Sequence, residues 1–159
     1  MLRTLLLLTL AATLAGCAAL VRNTPQEDAQ LVRSLVQANL DEIAAGRLAA
    51  TKAQSRAVRQ YGERMAREHR QLQAEASELR SAEGVPLPAS HDFAEMRKLD
   101  RLSGAEFDRA YIELTVKRHA DTLRLLERAA SRAADPALRT HAERAIPTLR
   151  KHLESARRL

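Results

Sequence analysis

The sequence contains few of the residues on which many folds and active sites depend. Among its 159 residues there are 5 Gly, 5 Pro, 2 Phe, 2 Tyr, 1 Cys and no Trp. A single Cys excludes a disulfide framework and a multi-cysteine metal site. Scarce β-branched, aromatic and turn residues argue against a β-sandwich, a barrel or a doubly wound sheet. Ala and Leu dominate instead, so the composition predicts an all-α domain.

Several motifs with a known chemistry are also missing from the sequence. There is no phosphate-cradling Gly-rich loop, no Ser/His/Asp arrangement and no candidate cysteine nucleophile, so we lean towards a role other than catalysis. The formal net charge is +6, but the Arg residues are interspersed with Glu and the aromatic residues needed for base stacking are scarce. We therefore expect no nucleic-acid partner.

Residues 1–16 are typical of a bacterial export signal, with one positive residue before an apolar run that is too short to span a bilayer. The run ends in Leu14-Ala15-Gly16-Cys17, which resembles the lipobox of bacterial lipoproteins, where the Cys thiol receives a lipid. We expect Cys17 to be lipidated; the alternative is an ordinary secretory signal with a chance Cys. Residues 17–24 then form a tether and residues 25–159 the domain.

The residue after the cysteine indicates a location, again by analogy with bacterial lipoproteins. Ala18, rather than Asp, favours the periplasmic face of the outer membrane. We expect the lipid to be the contact with the membrane, whereas the sequence identifies no protein partner.

Capping residues and prolines divide residues 25–159 into four long helices. They indicate helices at Pro25–Lys52, from Ser55 to about Ala82, from the capping box Ser103–Glu106 to about Ala134, and from Asp135-Pro136 to about Leu159. The connection between the second and third helices is long, with room for one short helix. Residues 57–64 also resemble residues 137–144, at an offset of 80. Two related hairpins of this kind predict an antiparallel four-helix bundle, ferritin-like in plan.

Each predicted helix places one side chain able to bind a metal on its apolar stripe, near the middle of the bundle. These side chains are Glu42, His69, His119 and His152. Three imidazoles and a carboxylate suit one transition metal ion, such as Zn, Fe, Cu or Ni. The alternative is a metal-free hydrogen-bond network of the same groups. A di-iron site is disfavoured, because no core His has a Glu three residues before it.

The remaining polar candidates have weaker patterns. His91 falls in the connection and His141 lies off the apolar stripe, so we expect both to be solvated. Asn39 is expected to flank the stripe rather than to support a ligand. Tyr61 and Tyr111 each precede a core His by eight residues, and packing at the edge of the stripe is favoured over a redox role.

Residues Asp28 to Leu159 resemble a bacterial envelope family, the domain of unknown function 4142. The resemblance rests on Asp28-Ala29-Gln30-Leu31-Val32, Glu42 with Gly46–Ala49, Met65–His69, Leu102–Gly104 with Phe107-Asp108, Tyr111–His119, and Leu149 with His152-Leu153. It implies a ferritin-like bundle and an envelope location, and it brings no established activity. The family commonly has Asp before the first core His, where this chain has Glu68, a change that alters the surroundings of the site without removing a ligand.

Two functional hypotheses follow from the sequence. The first is a lipid-anchored periplasmic protein that binds one transition metal for storage, sensing or protection against envelope stress. The second is a non-enzymatic envelope interaction or structural protein, whose core Glu and His side chains only specify packing.

Overall fold

The computed structural model describes residues 22–159, which form five α-helices, one 3₁₀ turn and no β-strand. The all-α prediction is confirmed. The predicted signal peptide and Cys17 lie outside the described residues. The helices are α1 (Pro25–Lys52), α2 (Arg56–Ser77), α3 (Phe93–Asp100), α4 (Gly104–Arg132) and α5 (Pro136–Ala156). Four are long, as predicted, and the short α3 lies in the connection between α2 and α4.

Helix α1 begins at the predicted capping box. The Thr24 hydroxyl accepts a hydrogen bond from the Glu27 backbone N–H at 3.3 Å, and the Glu27 carboxylate accepts one from the Thr24 N–H at 2.6 Å. Pro25 occupies the first helical position, where a missing N–H costs nothing. The predicted bounds of this helix are confirmed.

One helix end and one helix cap differ from the prediction. Helix α2 ends at Ser77 rather than Ala82, and a 3₁₀ turn follows at Arg80–Ala82. Ser81 in this turn donates to the Asp135 carboxylate, which draws the chain towards the loop between α4 and α5. At the start of α4, Ser103 makes no side-chain cap, since Gly104 has a φ of 60° and the chain enters the helix through a left-handed glycine.

The repeat at an offset of 80 is visible in the structure. The Asp108 carboxylate accepts hydrogen bonds from the backbone N–H groups of Gln54 and Ser55, in the loop between α1 and α2. The Asp28 carboxylate accepts one from the Asp135 N–H, in the loop between α4 and α5. Each hairpin loop is therefore held by an aspartate from the first helix of the other hairpin.

Each of the four long helices packs against two of the others. Helix α1 lies along α2 and α4 along α5, while α1 also contacts α4 and α2 contacts α5. The Asn23 N–H donates to the Arg132 carbonyl at one end, and Lys52 pairs with Asp100 at the other. Helices α1 and α4 therefore run antiparallel. No helix among residues 22–159 combines the length and apolar character needed to cross a membrane.

Candidate metal centre

Three histidines from three helices meet in the core. His69 of α2, His119 of α4 and His152 of α5 are each at most 2 % exposed. His119 Nε2 lies 3.3 Å from His69 Nε2 and 3.3 Å from His152 Nδ1. Each residue is on the apolar stripe of its helix, so burying the stripe also buries the imidazole. One nitrogen from each ring lies within 4.8 Å of the other two, an arrangement able to hold a metal ion.

The other nitrogen of each ring faces a hydrogen-bond acceptor. His69 Nδ1 lies 2.8 Å from Asn39 Oδ1, and His119 Nδ1 lies 3.0 Å from the Thr115 carbonyl oxygen. His152 Nε2 lies 2.6 Å from the Glu68 carboxylate. A carbonyl and a carboxylate only accept, so these nitrogens donate their protons.

These hydrogen bonds fix the tautomer of each neutral imidazole. With the outer nitrogens protonated, His69 Nε2, His119 Nε2 and His152 Nδ1 carry lone pairs, and all three face one another. Lone pairs 3.3 Å apart repel unless a positive charge lies between them. An acceptor behind each ligating imidazole is the usual arrangement around a bound metal, since it orients the ring and raises its basicity.

The surroundings keep these imidazoles neutral. Burial lowers the pKa of His69 well below its ordinary value of 6.5, and the neighbouring histidines lower it further. Burial lowers the pKa of His119 to about 3. Burial also lowers the pKa of His152, although the Glu68 carboxylate opposes the shift. A cation could therefore bind the inward-facing nitrogens without first displacing protons from them.

Glu42, the fourth predicted ligand, is buried but lies outside the histidine group. Within residues 22–159, the side chains whose ligand atoms come together are the three histidines alone. Glu42 is 2 % exposed, and Arg118 Nη1 lies 3.9 Å from its Oε1. Burial raises the pKa of Glu42 to about 8, although the Arg118 charge limits the rise. Its role as a ligand stays a prediction.

The structure corrects two expectations about neighbouring polar residues. Asn39 does more than flank the stripe, because it is buried and contacts His69 directly. His141 is not solvated: it is 3 % exposed, and its Nδ1 lies 3.5 Å from the Glu75 carboxylate. Burial lowers the pKa of His141 as well. His91 is half-buried, and its ring packs at a tilt against that of Phe93.

The two tyrosines pack beside the histidines. The Tyr61 hydroxyl donates to the His152 carbonyl oxygen at 3.1 Å, and the Tyr61 and Tyr111 rings meet edge to face with centroids 6.2 Å apart. Burial raises the pKa of both phenols. The contact made by Glu68 had no counterpart in the helical pattern, because that pattern gives a residue's own face and not its partner on another helix. The Thr115 carbonyl is on the same helix as His119, and its contact depends on the side-chain rotamer of His119, which the pattern does not give.

Comparison with known proteins places the chain in one family. The model of the family named Domain of unknown function (DUF4142) matches residues 15–159. The chain belongs to this family. Comparisons with curated proteins and with solved structures give no significant match. Family membership therefore supplies no reaction, and a function has to be argued from the buried histidines.

Proposed function

We propose that His69, His119 and His152 together bind one transition metal ion. The observation that carries the proposal is the convergence of three unprotonated nitrogens, each with its opposite nitrogen tied to an acceptor. Three imidazoles suit Zn, Cu, Fe or Ni better than Mg or Ca, which prefer oxygen ligands. Three protein ligands also leave a coordination position open. Storage, sensing or protection against envelope stress are the roles that we propose for such a site.

The fold and location proposed for this function extend the sequence predictions. We propose that α1, α2, α4 and α5 form a ferritin-like antiparallel bundle, with α3 in the long connection. The contacts of each long helix with two of the others support this arrangement. We also propose that a lipid on Cys17 tethers the domain to the periplasmic face of the outer membrane, which the lipobox-like residues of the sequence support.

Metal analysis of the full-length protein tests the proposal directly. The protein is purified in detergent without chelators or an affinity tag that contains histidine, and bound metals are measured by mass spectrometry and by titration with Zn²⁺ and Cu²⁺. We expect one ion per chain in the wild type. His119→Gln should lose binding, because its Nε2 lies nearest to both of the other nitrogens.

A matched control separates loss of a ligand from general damage to the core. His141→Gln changes another buried histidine, on the same helix as His152, and should keep one ion per chain. The proposal is wrong if no ion binds the wild type in any preparation. The metal-free network is then the better explanation, and replacing all three core histidines with Leu should preserve or raise stability.

A further inference from the structure

A second group of buried polar atoms lies beside the three histidines. Among residues 22–159, the buried side-chain atoms that have no hydrogen-bond partner include both carboxylate oxygens of Glu42, the Tyr111 hydroxyl and the Thr115 hydroxyl. All three side chains are at most 2 % exposed. Leaving a buried polar group unpaired destabilises the folded state, so the accumulation of such groups in one region calls for a physical reason.

The antiparallel helices place these groups on the same side of the histidines. Asn39 contacts His69 at the level of the histidine group, and Glu42 follows one turn later on α1. On α4, which runs the opposite way, Thr115 precedes His119 by one turn and Tyr111 precedes it by two. A turn rises about 5.4 Å, so the Glu42 and Thr115 side chains form the next layer of the core. Burial raises the pKa of Tyr111, the charge of Glu42 raises it further and the nearby Thr115 hydroxyl lowers it, which agrees with the proximity of the three groups.

We propose that Glu42, Tyr111 and Thr115 form a subsite for a small polar ligand, water or a small anion, at the open coordination position of the metal. The inference rests on the proposed metal site. A ligand there would receive hydrogen bonds from the two hydroxyls, and burial favours the neutral form of Glu42, which adds an O–H donor. The Arg118 guanidinium lies 3.9 Å from Glu42 and is also paired with Glu95 and Asp41, so it offsets the negative charge around the subsite.

Azide binding to the cobalt-loaded protein tests the subsite. The full-length protein is loaded with Co²⁺, whose visible bands respond to its coordination, and is titrated with azide as the probe. We expect azide to change the bands of the wild type. Thr115→Val and Tyr111→Phe should each weaken azide binding roughly 10- to 100-fold, as expected for one lost hydrogen bond to a charged ligand. Both variants should still bind one Co²⁺ per chain.

Two further variants of the same helix complete the test. Thr122→Val makes the same change in a buried threonine on the other side of His119, and should alter azide affinity by less than about twofold. Thr115→Ser restores a hydroxyl and should restore azide affinity. The subsite is wrong if azide leaves the wild-type bands unchanged, or if Thr115→Val and Thr122→Val behave alike. If the wild type binds no Co²⁺, both the metal site and the subsite are wrong; if it binds Co²⁺ and no azide, only the subsite is.

Discussion

The three histidines differ from ordinary core residues in how both ring nitrogens are used. In each ring one nitrogen donates to an acceptor outside the cluster, and the other faces the cluster centre. The acceptors are of three kinds: a side-chain amide, a backbone carbonyl and a partly exposed carboxylate. Glu68 is the acceptor that reaches solvent, at 35 % side-chain exposure.

The Asn39 side chain provides a prediction about metal affinity. Asn39→Ala removes the acceptor behind His69, so the ring loses its orientation and some basicity. We expect metal affinity to fall about 10- to 100-fold with one ion still bound per chain, since loss of such a supporting group has this effect in metalloproteins. Competition titration with a chromophoric chelator measures it. Gln30→Ala, an exposed amide on the same helix, is the control, and equal affinity in the two variants would contradict the assignment.

The buried titratable groups provide a second prediction, for metal-free protein. The pKa of His119 falls to about 3 in the folded state, so below pH 6.5 the unfolded chain binds the extra proton and stability falls as the pH falls. The pKa of Glu42 rises from 4.5 to about 8, so the folded state binds the extra proton between these values. Glu42 therefore makes stability fall as the pH rises through this range.

Denaturant unfolding of the chelator-treated protein separates the two contributions. Above pH 7 most of the histidine effect is complete, and between pH 7 and pH 8 the wild type should lose about 1 kcal/mol of unfolding free energy relative to Glu42→Gln. Glu42→Gln cannot ionise at this position, so its stability should not fall over that interval. Both proteins should lose stability below pH 6, where the histidines dominate. A level wild-type profile between pH 7 and pH 8 would show that Glu42 is already ionised in the folded protein.

At the scale of helices, α1 and α2 approach closely at two glycines. A Cβ atom on Gly46 would lie 2.7 Å from the Gly62 carbonyl oxygen, and one on Gly62 would lie 2.7 Å from the Gly46 carbonyl oxygen. Both obstructing atoms belong to the backbone and cannot move aside. This close approach brings Asn39 of α1 within reach of His69 of α2. The sequence alone does not show that these two glycines face each other.

Replacing either glycine with alanine tests this close approach. In an exposed helix, Gly→Ala stabilises by about 1 kcal/mol, because alanine has the better helix propensity. Here we expect Gly46→Ala and Gly62→Ala each to destabilise by about 1–3 kcal/mol through overpacking, measured by denaturant unfolding. Helix propensity and overpacking change the free energy of unfolding in opposite directions, so the sign of the measured change distinguishes them. A gain in stability for either variant would mean that the helices are further apart than the structure shows.

A helix boundary could be predicted from the sequence only where the contacts that define it are between residues close together in the chain. The bounds of α1 were predicted because Thr24, Pro25 and Glu27 form a local capping signal. The end of α2 was not, because it depends on a contact between Ser81 and Asp135, which are far apart in the chain. Similarly, the capping pattern at Ser103 did not reveal that Gly104 adopts a left-handed conformation.

At the scale of the whole molecule, the proposed lipid on Cys17 provides a prediction about where the helical domain acts. If Cys17 carries the proposed lipid, Cys17→Ala should leave the protein outside the membrane fraction, whereas the wild type should sediment with outer membranes and incorporate labelled palmitate. Several acyl chains anchor a protein stably, unlike one chain. Ala18→Asp should redirect the protein to the inner membrane, and Ala19→Ser should change nothing. Membrane retention of Cys17→Ala without the label would contradict lipid anchoring.

The sequence by itself determined the all-α class, the positions of the long helices and the burial of His69, His119 and His152, because apolar periodicity and capping are local properties of the chain. Only the tertiary structure decided which nitrogen of each imidazole faces the others, that Asn39 and Glu68 support the rings, that Glu42 lies outside the histidine group and that His141 is buried. These features depend on the rotation and register of each helix against its neighbours. Those quantities are fixed by close packing, as at Gly46 and Gly62, and no single helical pattern contains them.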